Sequence, residues 1–439
     1  MNSSEIQMRI ASKLQGRSHL MVAFSGGLDS TVLLHALVQL RMQNFPHLQL
    51  RAAHVHHGLS RYADLWVDHC KSVCQQWQVP LHVLRVKVDA QRSGVEAAAR
   101  DARYHAIAGL IGNHETLLTA QHLDDQCETF LLALKRGSGP TGLSAMASHM
   151  PFFSTEQIRP LLDISRAQLE EYAASYDLKW VEDDSNQDDR FDRNFLRLRV
   201  IPNLRDRWPH FPEAVARSAS LCAEQEQLLD ELLLDSLQSL MSEDDSLNIE
   251  GLLPMSEAKR YALLRRWIAC FGVMMPTREQ LQRLWHEVAT AREDAEPQLQ
   301  LGKNQVRRYR QHLYLLPPLR SLKTEVIAWD PRESLPLPDG LGELQLGERG
   351  ICVRAPRSDE AVSIRFVAHG TLRIVGRRHS RPIKKIWQEH NIPPWERERT
   401  PMLYYGETLI AALGVFITQD GQGMADRPVW NIHWTKDWM

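Results

Sequence analysis

Between residue 19 and about residue 180, short β-rich runs alternate with amphipathic helical patterns, and few folds accommodate such an order. Strand–helix–strand units place successive strands parallel, and a parallel sheet needs helices over both faces. Strands are expected at Leu20–Phe24, Leu48–His56, Leu81–Val88, Thr116–Gln121 and Gln157–Leu161. Helices are expected at Leu28–Arg41, Ala63–Gln78, Val95–Ile111 and Asp124–Lys135, with Leu33, Leu34, Leu37 and Val38 forming one apolar stripe. Ligands of such sheets sit beyond the carboxyl ends of the strands, so the loops that follow them are the first place to look for chemistry.

The remaining chain is organised differently. At roughly 150 residues per domain, 439 residues suggest about three units. The expected boundaries are 1–212 for the α/β domain, 213–316 for a helical middle domain and 317–439 for a small C-terminal α/β domain with its linker. Residues 213–295 read as almost wholly helical, with Leu228, Leu229, Leu232 and Leu233 as part of the pattern, and Leu315–Pro356 reads as linker plus short strands. The end of the chain mixes strands at Ser363–Val367, Leu372–Val375 and Thr408–Thr418 with a basic helix near Pro382–His390. Fifty-two Lys and Arg against 54 Asp and Glu give a net charge of −2, so any nucleic-acid surface must be a local patch. No stretch approaches the ~18 apolar residues of a membrane span. The six cysteines form no framework and no Cys-x-x-Cys pair, which points to a reducing, cytoplasmic setting.

The sharpest local signal is Ser25-Gly26-Gly27-Leu28-Asp29-Ser30, set between the first strand and the first amphipathic helix. Two glycines let the backbone turn tightly against a ligand. The helix start then offers unpaired N–H groups and its positive dipole end to an anion, with the Ser25 and Ser30 hydroxyls as further donors. No Gly-Lys-Ser/Thr follows, so the lysine-bearing phosphate loop is excluded. A plain Gly-Gly turn capped by Asp29 or Ser30 is the alternative.

A second constellation runs from Thr119 to Thr129, where a strand leaves at His122 and a helix begins at Asp124-Asp125. Asp124, Asp125 and Glu128 lie near one helix face, while Cys127, Phe130, Leu131 and Leu134 are expected in the core. Carboxylates at this edge, close to a triphosphate, suit Mg²⁺ binding or proton acceptance. Acidic first turns also occur simply to complement the helix dipole.

The Ser25–Ser30 hexapeptide resembles the signature of the N-type ATP pyrophosphatases, the PP-loop superfamily, which split ATP between the α- and β-phosphates. Further blocks narrow the resemblance: His54-Val55-His56-His57-Gly58, Glu96–Arg100 with Arg103-Tyr104, Asp124–Thr129, Arg136–Leu143 and Arg159–Leu162. With Glu182-Asp183-x-Ser185-Asn186 and Arg193-Asn194-x-Leu196-Arg197, they cover most of residues 20–200 and resemble the tRNA(Ile)-lysidine synthetases. One block departs: His56 and Ser60 stand where that family often has Asn and Arg.

The resemblance implies ATP and Mg²⁺ as cofactors, and free L-lysine and an isoleucine tRNA with a CAU anticodon as partners. It also allows a homodimer. The implied reaction adenylates O2 of the wobble cytidine, releasing pyrophosphate, and then lets the lysine ε-amine displace AMP at C2. Ser25, Gly26, Gly27, Leu28, Asp29 and Ser30 are the expected nucleotide cradle. Asp29 and Asp125 are the expected metal ligands and proton acceptor. Glu128 is expected to meet the substrate ammonium, and Arg193, Asn194 and Arg197 a phosphate or the lysine carboxylate. Ion pairs with the acidic loop 182–192 are the alternative for those three. His54, His56 and His57 are expected beside the nucleotide rather than on zinc.

From Arg349 to Lys385 ten Lys or Arg face two acids, a local formal charge of +8, with Phe366, Trp387 and Trp395 in and beyond the stretch. Arg377, Arg378, Lys384 and Lys385 are the expected tRNA contacts, against the plainer reading of a solvated basic face. Arg307-Arg308-Tyr309-Arg310 either extends this track or is an ordinary strand. A PP-loop tRNA thiolase would need paired reactive cysteines, and an NAD synthetase would have no use for the basic tail. A non-catalytic tRNA-binding protein would not need Asp29 or Asp125.

Overall fold

The structure, a computed structural model, describes residues 3–58, 60–87, 95–292, 295–423 and 428–436, the side chains of 95–97, 184 and 185 excepted. The chain divides into two compact units, Met1–Leu232 and Leu233–Met439.

The first unit begins with α1 (Ser3–Leu14), β1 (His19–Ala23), α2 (Leu28–Gln43), β2 (Gln49–His56), α3 (Ala63–Gln76), β3 (Leu81–Arg85), α4 (Val95–Ala108), β4 (Thr116–Leu118) and α5 (Leu123–Lys135). It continues through α6 (Pro140–Leu143), β5 (His149–Phe152), β6 (Thr155–Ile158), α7 (Arg166–Ser175), α8 (Asp192–Phe195), a π-helical turn over Leu196–Val200, α9 (Ile201–Arg207) and α10 (Phe211–Leu240). The six strands run in the order β3-β2-β1-β4-β6-β5. Five are parallel, as expected, and β5 adds an antiparallel edge. That hairpin was not foreseen, because His149–Phe152 carries a proline and little apolar alternation. The expected strand end at Val88 lies outside the described residues.

Alternation in β1 sets the layers. Leu20 and Val22 face a core built with α1, α2, α3 and α7, whereas Met21 faces Ile107 and Ile111 below α4. The stripe of Leu33, Leu34, Leu37 and Val38 is buried against the first face, and each such side chain contributes about 1.5–3 kcal/mol. Leu134, expected in the core, is 54% exposed: the α5 core face rests on Cys127, with Phe130 and Leu131 against α9 and α10, and Leu134 lies beyond it. Leu228, Leu229 and Leu232 on α10 are likewise exposed, and of the four leucines of that pattern Leu233 alone is buried. The expected boundary between 212 and 213 falls within α10.

The second unit holds β7 (Leu247–Asn248), α11 (Glu257–Ala269), α12 (Arg278–Arg283), β8 (Gln298–Leu301), β9 (Asn304–Tyr309) and β10 (His312–Leu316), packed around Trp267 and Leu313. Residues 298–316, placed in a helical domain by expectation, are thus strands, and Arg307–Tyr309 lies in β9. The rest comprises β11 (Val326–Ala328), β12 (Leu335–Pro336), β13 (Glu343–Arg354), β14 (Val362–Arg365), β15 (Thr371–Leu372), β16 (Arg381–Pro382), α13 (Ile383–Glu389), α14 (Pro394–Arg397), β17 (Met402–Tyr405), β18 (Thr408–Ala412), β19 (Phe416–Ile417) and β20 (Val429–Thr435). Where a linker plus short strands was expected, β13 is a 12-residue strand that bulges between Leu346 and Ile351 as it pairs with β20. Its run of glycine and charge hid the alternation.

A buried histidine ties three helices of the first unit together. His35 Nδ1 lies 3.0 Å from the Tyr172 hydroxyl, and that hydroxyl takes a 3.2 Å bond from Gln7 Nε2. Burial pulls the His35 pKa down to about 4. The unfolded chain therefore takes up a proton near the ordinary value while the native ring refuses it. Native stability contributed by neutral His35 is intact above about pH 6.5, declines on acidification and levels off below about pH 4. Thermal melts of wild type and His35→Gln should converge, or cross in favour of the variant, as pH falls through that window.

Candidate functional site

The chain leaves β1 at Phe24 and turns at Gly26, whose φ of +86° suits glycine alone among common residues. A Cβ at Gly26 would lie 2.8 Å from Cys70 Sγ and 3.3 Å from Val181 Cγ2, so the turn is seated on buried neighbours. The Gly26 carbonyl accepts a 2.9 Å bond from Val181 N–H, drawing the 180–183 segment to the loop. Ser25 Oγ and Ser30 Oγ are 3.0 Å apart and brace the turn from within. Gly27 is the N-cap of α2, and no side chain caps that helix start. The N–H groups of the first turn therefore remain available to an anion.

The α5 start is handled in the opposite way. His122 is the N-cap; its Nδ1 accepts from Asp124 N–H at 3.2 Å, and Asp125 Oδ2 accepts from His122 N–H at 3.1 Å. Acceptance at Nδ1 places the neutral ring's proton on Nε2. That atom lies 3.6 Å from Asp29 Oδ1 and 3.5 Å from Asp125 Oδ2, so one buried imidazole stands between two carboxylates from two helices. Asp29 Oδ1 is buried without a hydrogen-bond partner, and Arg166 approaches it only to 3.7 Å. Burial pushes the Asp29 carboxyl above its ordinary value; Asp125 adds to the rise, and His122 and Arg166 oppose it.

Asp124 differs from both neighbours. It accepts from Arg166 N–H at 2.8 Å and pairs with Arg205. Although burial alone would raise its carboxyl, these bonds and His122 hold it below the ordinary range. Its role is to anchor helices.

Glu128 is fully buried and receives Arg197 Nε at 2.7 Å and Nη2 at 3.0 Å, while the same Nη2 reaches Asp125 Oδ1 at 3.0 Å. Burial raises the Glu128 carboxyl, with the Arg197 bonds opposing. Arg193 Nη2 donates to Thr129 Oγ1 at 3.1 Å, and its Nε lies 3.7 Å from Glu128. These two arginines turn toward α5. Asn194 instead donates to the Asp188 carbonyl at 2.9 Å, within the acidic loop.

Ser25, Gly27, Leu28 and Asp29 share a cavity of about 930 Å³ with His54, His56, His57, Arg193, Asn194 and Arg197. Gly26, Ser30, Asp125 and Glu128 stand behind its lining. Sequence reasoning missed the pivotal His122, for which the capping position before Asp124 was the available signal, and Arg166, for which there was none.

The basic stretch is less free than its composition implies. Arg354 pairs with Glu360 at 2.6 Å, Arg365 with Glu407 at 2.7 Å, and Arg377 with Glu389 at 3.0 Å. Arg378, Lys384 and Lys385 are exposed and, among the described residues, have no acidic partner. Phe366, Trp387 and Trp395 are buried, so they build the core rather than stack on bases.

Gly26→Ala should cost about 2–4 kcal/mol in a chemical unfolding titration and weaken nucleotide binding, because it strains φ and drives a methyl into Cys70. Adding Cys70→Ala relieves the contact but not the φ, so the double variant should recover only part of the loss.

Three families match the chain: the PP-loop domain over residues 2–204, the TilS substrate binding domain over 247–314, and the TilS substrate C-terminal domain over 362–434. The chain is 77% identical over 439 residues to the tRNA(Ile)-lysidine synthase of Edwardsiella ictaluri (strain 93-146), covering all of both chains. It is 62% identical to the tRNA(Ile)-lysidine synthase of Serratia proteamaculans (strain 568), covering 99% of this chain and all of that one. It is 57% identical to that of Pectobacterium atrosepticum, over 99% of this chain and 98% of that one. With the uncapped helix start, the paired carboxylates and these full-length matches together, the chain belongs to the tRNA(Ile)-lysidine synthase family.

Proposed function

We propose that this protein ligates L-lysine to C2 of the wobble cytidine of an isoleucine tRNA with a CAU anticodon, consuming ATP. The single observation that carries the chemistry is Asp29. It stands in the first turn of an uncapped helix, with one buried oxygen unbonded, on the wall of a cavity large enough for a nucleotide.

ATP is the nucleotide, held by residues 25–30 at the helix start. Cytosine O2 attacks the α-phosphorus, a P–O bond forms, and pyrophosphate leaves. The lysine ε-amine must shed its proton before it attacks C2, since it is charged near neutral pH. The C2–O bond then breaks and AMP departs. The target base has to leave its stack to reach this cavity. Asp29 and Asp125, set on either side of His122 Nε2, are the proposed proton acceptors. Arg193, Asn194 and Arg197 would meet the lysine carboxylate or a phosphate, and Glu128 the ammonium once Arg197 releases it.

Mg²⁺ fits the same place. Among the described residues no three His, Cys, Asp or Glu side chains form a metal site by themselves. An ion held by Asp29 and Asp125 would complete its shell with phosphate oxygens and water, as Mg²⁺ ordinarily does. When bound, it would neutralise charge on the departing pyrophosphate.

The proposed organisation is a catalytic domain over 1–212, a middle domain over 213–316 that joins helices to the β7-β10-β9-β8 sheet, and a tRNA-binding domain over 317–439. Arg377, Arg378, Lys384 and Lys385 supply phosphate contacts on the last. No described helix is long and apolar enough to cross a membrane. The unpaired cysteines support a cytoplasmic setting. A homodimer completes the proposal, with light scattering as its check. A thiolase is disfavoured by the thiols themselves: burial pushes Cys70 up to about 12 and Cys74 up to about 11, far from reactive thiolates.

Incubating the protein with unmodified CAU transcript, ATP and lysine should convert one cytidine to a base heavier by a dehydrated lysine, read by mass spectrometry. Asp29→Asn should slow that conversion by roughly 10²–10⁴-fold with tRNA affinity retained. Reversing charge at Arg377 and Arg378 should leave the chemical step alone, weaken tRNA binding and make the salt slope shallower by about one to two.

A further inference from the structure

The turn over Ser25–Ser30 contains no lysine or arginine. Its donors toward an anion are backbone N–H groups and two hydroxyls, and the helix end behind them adds only about half a positive charge. A triphosphate that loses pyrophosphate concentrates negative charge on the departing group, so a full cation is called for nearby. The fold brings one from another element. Arg166, the first residue of α7, lines the cavity together with Ser25, Gly27, Leu28 and Asp29. Its Nη1 stands 3.7 Å from Oδ1 of Asp29, in the first turn of α2.

The backbone of Arg166 is fixed, whereas the end of its side chain is unbonded. Its N–H donates to Asp124 Oδ2 at 2.8 Å, and the Leu123 N–H donates to the Ile164 carbonyl at 2.9 Å, so the start of α7 is stitched to the start of α5. Ser165 and Gln168 close a capping box around the same turn. The Arg166 Nε donates to Glu170 Oε1 at 3.1 Å and so orients the guanidinium. Among the described residues neither Nη group makes a hydrogen bond, and the approach to Asp29 is purely electrostatic. Arg193 and Arg197 line the same cavity but direct their donors to Thr129, Glu128 and Asp125. Arg166 thus brings forked, unengaged donors to the edge of the phosphate turn.

We propose that Arg166 binds the β- and γ-phosphates of ATP and stabilises pyrophosphate as it leaves, a catalytic role that rests on the cavity being the ATP site, as proposed above. As cytosine O2 bonds to the α-phosphorus, the bond from that phosphorus to the bridging oxygen breaks, and its electron pair stays on the pyrophosphate. A phosphate on the first-turn amides of α2 lies beside Asp29, within reach of the long Arg166 side chain. The guanidinium fork matches two phosphate oxygens, and it supplies the charge that a lysine would otherwise bring to the turn. Because the charge on the departing group grows during cleavage, Arg166 favours the transition state more than bound ATP.

The test uses the full-length protein with Arg166→Ala, Arg166→Lys and Glu170→Gln, and thermal melts to verify folding. Calorimetry with pyrophosphate and Mg²⁺, and separately with AMP, reads binding. Single-turnover release of pyrophosphate from ATP with the CAU transcript, lysine withheld, reads adenylation. Arg166→Ala should weaken pyrophosphate binding roughly 10–100-fold and leave AMP binding unchanged. At saturating ATP it should slow release by roughly 10²–10⁴-fold, with Arg166→Lys between it and wild type. Glu170→Gln should stay near wild type, because it removes a neighbour of the guanidinium and not the guanidinium itself. An equal loss in Glu170→Gln overturns the proposal by showing that the pair only steadies α7. Unchanged pyrophosphate affinity, a loss confined to AMP, or a rise confined to the KM for lysine overturns it as well. Should wild type bind pyrophosphate and Arg166→Ala lose it while no lysidine forms, the proposed function fails and the assignment of Arg166 to phosphate stands.

Discussion

The N–H groups of Leu28, Asp29 and Ser30 in the first turn of α2 have no side-chain cap, and the rest of the first unit is arranged around that omission. A helix normally meets this need with a side-chain acceptor at the N-cap, as the hydroxyls of α7, α11 and α12 and the imidazole of α5 do here. At α2 the capping residue is glycine, preceded by a second glycine in a left-handed turn pressed on Cys70 and Val181. Ser25 and Ser30 bond each other and hold the turn open. An unsatisfied positive helix end at the carboxyl edge of a parallel sheet is an anion site before any other residue is considered.

The second helix start, at α5, supplies the acids and gives each a different environment. Asp124 is tied down by Arg166 and Arg205, so it orients helices. Asp125 is shared between the His122 backbone and Arg197. Asp29, from α2, keeps an unbonded oxygen and a raised affinity for protons. Three carboxylates close in space thus differ in what they can do, as the proposed reaction, with both ATP and an amine that must lose a proton, requires. Arg197 joins this group to Glu128, so movement of that one side chain changes the charge seen by both acids.

The residues show why part of this was readable beforehand. The β/α alternation and the Gly26-Gly27 turn are local patterns, and each found its place because burial on two sheet faces enforces it. The role of His122 depended on its ring reaching across to Asp29 of another helix, which no spacing in a single sequence reveals. Arg193 and Arg197 were expected on a phosphate or substrate carboxylate, or on the acids of loop 182–192, and the fold turns both toward α5 instead. In the tail, composition overstated the free charge, since Arg354, Arg365 and Arg377 found acids up to 42 residues away. The aromatic residues there were drawn inward by the same hydrophobic burial that built the small antiparallel sheet.

The central claim is that the bare amides of the first turn of α2 receive the phosphates of ATP beside Asp29. Crystals of the protein soaked with a non-hydrolysable ATP analogue and magnesium test it most directly. Phosphate density within hydrogen-bond distance of the N–H groups of Leu28, Asp29 and Ser30, with the metal against the free Asp29 oxygen, is the predicted result. Nucleotide bound elsewhere in fully occupied crystals, with that helix start still solvated, would contradict it.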